Sequence, residues 1–305
     1  MKDCLLGIDT SAYTTSASVY SEDGDILVDY RKLLDVPAGE RGLRQSDAFY
    51  QHWQTLPGFL ESILDDYRDR IKCVCVSSRP RPAEGSYMPV FNAGLEAAKI
   101  TAAALGTDLY ETTHQEGHLL AASYGNDIDL HKDVIFAHLS GGTLEIVLVS
   151  DGQFRIIGGT KDISYGQLLD RFGVMRGFGF PAGKYIDELA CGYVREGSKN
   201  PIPRVFTDKT FISLSGTEDK LKSSVLEKQE LSCYLMERIS ESLVSILEEA
   251  SEQTGCTQIL IGGGVACSRY IRQYCCNKPF KFGRPELCSD NAVGAAMSGG
   301  KDPWH

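Results

Sequence analysis

Two histidines spaced four residues apart are the side chains of this sequence that point most directly to chemistry. His114 and His118 stand at the start of a predicted helix, in the segment His-Gln-Glu-Gly-His-Leu-Leu-Ala. Residues four apart lie on one helix face, so both imidazoles can share a metal ion. The spacing by itself leaves a second interpretation open, in which both histidines are surface or core side chains without a ligand.

The residues between these histidines disfavour a zinc peptidase. The H-E-x-x-H signature requires glutamate where this chain has Gln115, and H-x-x-E-H requires it where the chain has Gly117. A peptidase built on this pair would therefore lack its general base.

Glycine-rich turns follow several predicted strands and favour close contact between backbone and an anionic ligand. Glycine lets the chain approach a phosphate or ribose, and successive N–H groups can cradle an anion. Ordinary hairpin geometry is the alternative for each turn taken singly. Because the sequence has neither a Walker loop nor G-x-G-x-x-G, nucleotide binding would need several turns together. The turns are Ser140-Gly141-Gly142-Thr143, Gly158-Gly159-Thr160, Gly183 after Phe180-Pro181-Ala182, and Gly262-Gly263-Gly264.

Two features near the C-terminus each allow two interpretations. Asp290 precedes an alanine-rich segment and can either cap that helix or ligate a metal. The stretch between Glu252 and Glu286 contains no acidic residue, and it is either a solvated basic face or a contact surface for phosphate or RNA. Its cationic residues are Arg269, Arg272, Lys278, Lys281 and Arg284.

A loose internal duplication organises the elements that position these residues. Each copy, at 4–30 and at 134–157, has a strand, a tight turn, a strand, an Asp-Gly hairpin and a third strand. Helices and a buried strand at 71–76 follow the first copy, and a long helix at about 226–250 and a strand at 258–261 follow the second. Strands followed by crossover helices predict an α/β protein of two lobes with a cleft between them.

Apolar spacing separates the regular segments from the irregular one. The helix after the first copy is predicted to bury an apolar face and to kink or divide at Pro57. Segment 196–221 contains Gly, Pro and mixed charge and is predicted to be an irregular surface excursion. The residues assigned to the buried helix face are Phe49, Trp53, Leu56, Leu60, Ile63, Leu64 and Tyr67.

Composition narrows the class of protein further. The 305 residues carry a net charge of −10 and 42% hydrophobic residues, which disfavours a disordered or fibrous chain and indiscriminate nucleic-acid binding. No apolar run is long enough to span a membrane, and the N-terminus is not typical of a signal peptide. Ten scattered cysteines without a C-x-x-C pair then predict reduced thiols in a cytoplasmic protein.

In order along the chain, these motifs resemble the TsaD family, the threonylcarbamoyl transferases once described as O-sialoglycoprotein endopeptidases. The resemblance covers most of the chain. The matching segments are Leu6-Gly7-Ile8-Asp9-Thr10-Ser11, His114-Gln115-Glu116-Gly117-His118, Ser140-Gly141-Gly142, Asp170-Arg171, Phe180-Pro181-Ala182-Gly183, Ser213-Leu214-Ser215-Gly216, Gly263-Gly264-Val265-Ala266-Cys267-Ser268 and Ser289-Asp290-Asn291.

The resemblance implies a duplicated ribonuclease-H-like fold of the actin/hexokinase-like kind. It implies an N-terminal lobe at 1–110, joined by the C-terminal segment 291–305, and a C-terminal lobe at 111–290 that carries the metal and nucleotide site. One divalent metal, iron or zinc, is the implied cofactor, and its implied ligands are His114, His118 and Asp290. The residues implied to contact an adenylate are His138, Leu139, Ser140, Gly141, Gly142, Asp170, Gly183 and Ser268.

The implied activity is transfer of a threonylcarbamoyl, or related carbamoyl, group from its AMP mixed anhydride to the exocyclic amine of an adenosine in tRNA. No covalent nucleophile is needed, because the adenylate already carries a good leaving group. The implied partners are tRNA and either a TsaB-like paralogue subunit or a second copy of this chain, without a membrane.

This chain departs from the family pattern around the acyl group. The family's G-P-G-L loop is replaced by residues 79–85, the acids of D-D-A-A-G-E are thinned over 162–167, and Ser268 stands where the family has asparagine. The family's histidine in the first long helix is not evident. These departures indicate a divergent paralogue, and they keep open a noncatalytic or regulatory protein that binds nucleotide and metal as a partner subunit.

Overall fold

The computed structural model describes residues 3–11, 13–37, 43–194 and 199–300. Contacts divide the chain into two units, Met1–Tyr124 with Asp290–His305, and Gly125–Ser289. The boundary lies later than the expected one after residue 110, because the helix that starts at His114 packs on the C-terminal helix. The metal-ligand candidates His114, His118 and Asp290 therefore belong to the first unit, not to the second as the resemblance implied. Residues 301–305 of the predicted C-terminal segment lie outside the described ranges.

The described residues form twelve strands and ten α-helices. The strands are β1 Cys4–Thr10, β2 Thr14–Ser21, β3 Ile26–Leu33, β4 Ile71–Arg79, β5 Asp108–Thr113, β6 Val134–Leu139, β7 Leu144–Ser150, β8 Gln153–Thr160, β9 Phe206–Asp208, β10 Phe211–Ser213, β11 Ile259–Gly262 and β12 Phe280–Phe282. The helices are α1 Gln45–Tyr67, α2 Phe91–Leu105, α3 His114–Ser123, α4 Tyr165–Met175, α5 Gly183–Gly192, α6 Ser215–Ser223, α7 Lys228–Thr254, α8 Arg269–Tyr274, α9 Pro285–Cys288 and α10 Val293–Ser298.

The first unit contains a five-stranded mixed sheet in the order β3-β2-β1-β4-β5. The first three strands are antiparallel, whereas β4 and β5 run parallel to β1. The carboxyl ends of β1, β4 and β5 therefore meet at one edge of the sheet, where polar side chains of Asp9 and Ser77 lie and α3 begins. The sequence patterns missed β5, because its residues are mostly polar and exposed.

Helix α1 buries the predicted face at Leu56, Leu60 and Ile63, but its first turns bury a face that is offset from the predicted one. Its buried residues include Ala48 and His52, whereas the predicted core residues Phe49 and Trp53 are 36% and 44% exposed and stack on each other. Ala48, His52 and Leu56 are spaced four residues apart and lie on one helix face. The prediction followed apolar residues only, so it did not place the polar His52 on the buried face. The helix runs through Pro57 as one element rather than dividing there.

The second unit repeats the arrangement of the first. Its seven-stranded sheet has the order β12-β11-β6-β7-β8-β10-β9, with β6, β7 and β8 antiparallel and β11 parallel to β6. Strands β6, β7 and β8 correspond to β1, β2 and β3, and β11 beside β6 corresponds to β4 beside β1. The correspondence confirms the predicted duplication. Asp151 and Gly152 both have positive φ in the second hairpin turn, as an Asp-Gly turn favours.

The segment predicted to be irregular contains regular structure. Strands β9 and β10 lie within 196–221, and β10 pairs with β8 and buries Ile212. Short strands of three residues leave too little periodicity for a sequence pattern to detect. Residues 196–198 of the predicted excursion lie outside the described ranges. The long helix is confirmed as α7, and it ends at Gly255 in the left-handed conformation.

All ten cysteines have free thiols. Their reduced state in a cytoplasmic protein stays a prediction. Among the described residues, no helix has the length and apolar character needed to cross a membrane.

Candidate metal centre

His114 is the first residue of α3, where the chain leaves β5. The helix starts with a capping box, in which the Thr113 hydroxyl accepts from the Glu116 N–H (3.2 Å) and the Glu116 carboxylate accepts from the Thr113 N–H (2.8 Å). The box determines where the first turn begins, and His118 follows one turn later with its imidazole on the same face.

Asp290 comes close to both imidazoles because α10, three residues further on, packs tightly on α3 and β1. A Cβ at Gly294 would lie 1.8 Å from the carbonyl oxygen of Gly117, and a Cβ at Gly7 would lie 2.2 Å from that of Ala292. A larger residue at position 294 or 7 would push α10 away from its neighbours. These two close approaches therefore hold Asp290 at its distance from the histidines.

Three potential ligand atoms converge in this arrangement. His114 Nε2 and His118 Nε2 are 3.1 Å apart, and Asp290 Oδ1 lies 3.6 Å from the first and 3.3 Å from the second. His118 is buried, whereas His114 and Asp290 are partly exposed. Within the described residues, this is the one cluster of three His, Cys, Asp or Glu side chains with ligand atoms so close together.

Two further polar side chains orient this group. Asp9, at the end of β1, places Oδ1 2.9 Å from His114 Nδ1. A carboxylate accepts hydrogen bonds, so Nδ1 carries a proton and Nε2 is the nitrogen directed at an ion. Ser11 donates its hydroxyl to Asp290 Oδ2 (3.0 Å), while Asp290 Oδ1 faces the histidines.

The charges of the group are coupled. Burial opposes a charge on His114, but Asp9 and Asp290 outweigh burial and raise the pKa of His114 to about 10. Burial, followed by the neighbouring His114, lowers the pKa of His118. The imidazoles hold the pKa of Asp290 well below its usual range in spite of burial. Without an ion, the group thus combines one cationic and one neutral imidazole with two carboxylates.

The donor set fits a divalent transition metal such as iron or zinc. Two imidazole nitrogens and one carboxylate oxygen are ligands that both metals accept, and three protein donors leave positions for other ligands. Asp9 accepts a hydrogen bond from Nδ1 of His114, as carboxylates that orient metal-binding imidazoles do.

The second unit contains the residues predicted to contact an adenylate, beginning with the turn after β6. His138 and Leu139 end that strand, and Ser140 N–H donates to the Thr143 carbonyl (2.9 Å) to close the turn. A Cβ at Gly141 or Gly142 would meet no heavy atom within 4 Å, and neither residue has positive φ. The protein's own packing therefore does not require glycine there, and the turn presents open backbone.

Asp170 and Gly183 meet where α5 begins. Asp170 Oδ1 accepts from the Ala182 N–H at 2.8 Å, and burial raises the pKa of this carboxyl. Gly183 is the first residue of the helix. A Cβ at Gly183 would lie 3.9 Å from its nearest neighbour, a side-chain carbon of Leu169. Asp170 thus contacts the residue that precedes the first turn of α5. Its predicted contact with an adenylate stays a prediction.

Ser268 has partners within the second unit. Its hydroxyl caps α8 by accepting from the Ile271 N–H (3.1 Å), and it donates to Asp187 Oδ1 (2.5 Å). Asp187 also accepts from the N–H groups of Arg269 and Tyr270. Ser268 therefore shapes the turn before α8, and its predicted contact with an adenylate stays a prediction.

The predicted basic surface is partly taken up by contacts inside the second unit. Arg272 donates to the carbonyls of Ala266 (2.8 Å) and Gly283 (2.6 Å) and lies over the Phe282 ring. Lys278 Nζ donates to Glu248 Oε1 of α7 at 2.5 Å. For these two cations, the structure favours intramolecular contact over a surface for phosphate or RNA.

The sequence patterns do not predict Asp9, Ser11 or His52 as parts of the metal centre. A signal exists for Asp9, because a carboxylate directly follows the apolar run at 4–8. A signal also exists for His52, because it keeps the spacing of the buried face of α1. Ser11 belongs to the same family-matching segment as Asp9, but only the fold brings it to Asp290, 279 positions away.

Two duplicated α/β units define a protein of the actin/hexokinase-like class, as predicted. Solved structures of similar fold include component A of (R)-2-hydroxyglutaryl-CoA dehydratase from Acidaminococcus fermentans (TM-score 0.59, 14% identity, covering 97% of this chain and 96% of that one). A ROK family protein from Streptococcus pneumoniae is a second (TM-score 0.56, 10% identity, covering 97% of each chain). At these identities the likeness concerns the fold alone.

The family model described as TsaD, tRNA N6-adenosine threonylcarbamoyltransferase, matches residues 39–297, and this chain belongs to that family. Relatives of the same description include proteins from Neorickettsia sennetsu, 26% identical over 95% of this chain and 90% of the relative, and from Methanopyrus kandleri, 28% identical over 96% and 86%. The family resemblance inferred from the motifs is confirmed, and so is the expectation of an enzyme of the transferase class.

Proposed function

We propose that this chain is a metal-dependent transferase that moves a threonylcarbamoyl, or related carbamoyl, group from an adenylate to an adenosine of tRNA. The observation that carries the proposal is the convergence of His114, His118 and Asp290 in a member of the TsaD family. A protein that served only as a scaffold would have no use for three ligand atoms brought together from two distant segments.

In the first unit, hydrogen bonds from neighbouring side chains orient the candidate metal ligands and so support the proposal. When bound, a divalent ion in this donor set supplies Lewis-acid polarisation of a substrate oxygen. Asp9 holds the proton on Nδ1 of His114 and so directs Nε2 toward the ion. Ser11 holds one oxygen of Asp290 and leaves the other for coordination.

The second unit supports binding of the adenylate through open backbone turns. Gly141 and Gly142 leave room where side chains would otherwise stand, and N–H groups of such a turn can donate to a phosphate or ribose oxygen. Gly183 opens α5 and keeps its first turn clear, while Asp170 holds the preceding residue in place. Donors positioned in advance can stabilise the charge that develops on the phosphate as the acyl–phosphate bond breaks and AMP leaves.

The metal identity, the TsaB-like paralogue or second copy as partner, and cytoplasmic location remain predictions. The noncatalytic alternative differs from the transferase in one measurable way, because it predicts binding of metal and nucleotide without modification of tRNA.

The function is tested by complementing a strain that lacks its own threonylcarbamoyl transferase. We expect the wild-type chain to restore threonylcarbamoyladenosine, measured by mass spectrometry of tRNA nucleosides, and Asp290→Asn to fail at equal expression. A related carbamoyl donor would instead give an adenosine of different mass. Absence of any modified adenosine with a folded, metal-loaded wild-type protein contradicts the proposal and favours the noncatalytic alternative.

Metal binding should release protons in proportion to the charge on His114. The folded pKa of about 10 keeps this imidazole protonated at pH 8, so an ion must displace its proton, and apparent affinity should rise with pH until about 10. The same interaction stabilises the ion-free protein below pH ~6.5 and is lost as the pH rises through about 10. Calorimetry with Zn²⁺ in buffers of different ionisation enthalpy should show about one proton released per ion at pH 8. Binding without proton release at that pH would show that His114 is already neutral.

A further inference from the structure

His52 connects the buried face of α1 to the metal centre. Its side chain is fully buried, with Nδ1 2.8 Å from Thr15 Oγ1 and Nε2 2.8 Å from the carbonyl oxygen of Ser11. A carbonyl oxygen only accepts, so Nε2 carries the proton and donates to Ser11. Nδ1 of the neutral ring then accepts from the Thr15 hydroxyl. Both ring nitrogens are used, and the direction of each hydrogen bond is determined.

Ser11 transmits this constraint to the two carboxylates of the centre. Its N–H donates to Asp9 Oδ2 (3.3 Å), and its hydroxyl donates to Asp290 Oδ2 (3.0 Å). Because the hydroxyl occupies Oδ2, the carboxylate turns Oδ1 toward His114 and His118. This is the arrangement of a carboxylate that ligates an ion through one oxygen.

We propose that His52 is a positioning residue of the metal centre, an inference that rests on the function proposed above. By holding the Ser11 carbonyl, His52 sets the backbone from which the Ser11 hydroxyl orients Asp290. Neither side chain needs to touch the ion. Changing a residue that orients a metal ligand typically weakens metal binding by about 10- to 100-fold, and we expect an effect of this size.

The experiment uses Co²⁺ as the probe, because its visible absorption spectrum reports the geometry of coordination as well as the affinity. In His52→Asn the side-chain amide reaches only the position of Nδ1, so the hydrogen bond to the Ser11 carbonyl is lost. In His52→Gln the amide nitrogen reaches the position of Nε2 and can still donate to that carbonyl. Ser11→Ala removes the hydroxyl without disturbing the buried helix. Leu56→Ala is the matched control, because it opens a cavity one turn further along the same buried face.

We expect His52→Asn and Ser11→Ala to bind Co²⁺ about 10- to 100-fold more weakly and with an altered spectrum. His52→Gln should restore affinity and spectrum, and Leu56→Ala should lose thermal stability while keeping both. If His52→Asn does not fold, His52→Leu takes its place, because leucine fills the buried space but cannot donate a hydrogen bond to the Ser11 carbonyl.

Wild-type affinity and an unchanged spectrum in Ser11→Ala and His52→Asn would overturn the positioning role and leave His52 with a purely structural one. Asp290→Asn separates this failure from failure of the centre itself. If the wild type binds Co²⁺ and Asp290→Asn does not, the centre stands whatever the His52 variants do. If the two bind alike, or the wild type does not bind, both proposals fall.

Discussion

Replacing His118 with alanine is expected to weaken metal binding by about 100- to 1000-fold while the chain stays folded. The free energy of a structural zinc site is about 10–16 kcal/mol, so one of about four donors contributes roughly 2.5–4 kcal/mol. His118 suits the test because its pKa is lowered and it is neutral in the ion-free group. The cationic His114 therefore remains to compensate Asp9 and Asp290.

Metal content by elemental analysis, after dialysis at limiting metal, measures the effect. His131→Ala is the control, because His131 is an exposed histidine of the second unit, outside the cluster. The double variant His114→Ala/His118→Ala should lose the ion completely, and it should also be less stable at neutral pH, because two neighbouring carboxylates lose their cation. Unchanged metal content in either variant would show that the ligands have been assigned wrongly.

Gly294→Ala is expected to destabilise the first unit by about 3 kcal/mol and to weaken metal binding with it. The new Cβ would lie 1.8 Å from the Gly117 carbonyl oxygen and 2.5 Å from the carbonyl carbon, which are backbone atoms of α3. Overpacking of this kind costs about 1–3 kcal/mol or more when the neighbour cannot move aside. Separation of α10 from α3 would also carry Asp290 away from the imidazoles.

Gly117→Ala is the matched control on the opposite side of the same contact. A Cβ there would have its nearest neighbour at 3.6 Å, and alanine favours a helix over glycine by up to about 1 kcal/mol. Urea unfolding should therefore show a large loss of stability for Gly294→Ala and none for Gly117→Ala. Equal midpoints for the two variants would mean that the helices separate at no cost, and the close approach would not be what positions Asp290.

Local patterns along the sequence predicted much of the scaffold. The hairpins at Asp23-Gly24 and Asp151-Gly152, the strands beside them and helix α7 follow from short-range spacing and turn chemistry, and all are present. The same patterns failed where the polarity of a residue does not match its burial or its secondary structure. The polar strand β5 lacks the apolar alternation of a typical strand, and the buried His52 places the buried face of the first turns of α1 away from the predicted Phe49 and Trp53.

By itself, the sequence determined that two imidazoles share one helix face, because a spacing of four residues has the same consequence in every α-helix. The motifs also determined the family. Only the tertiary structure decided that the metal centre belongs to the first unit and that Asp9, Ser11 and His52 surround it. The physical reason is that these contacts join residues up to 279 positions apart, through parallel strand ends and a glycine-to-glycine helix contact. Neither leaves a periodic signal along the chain.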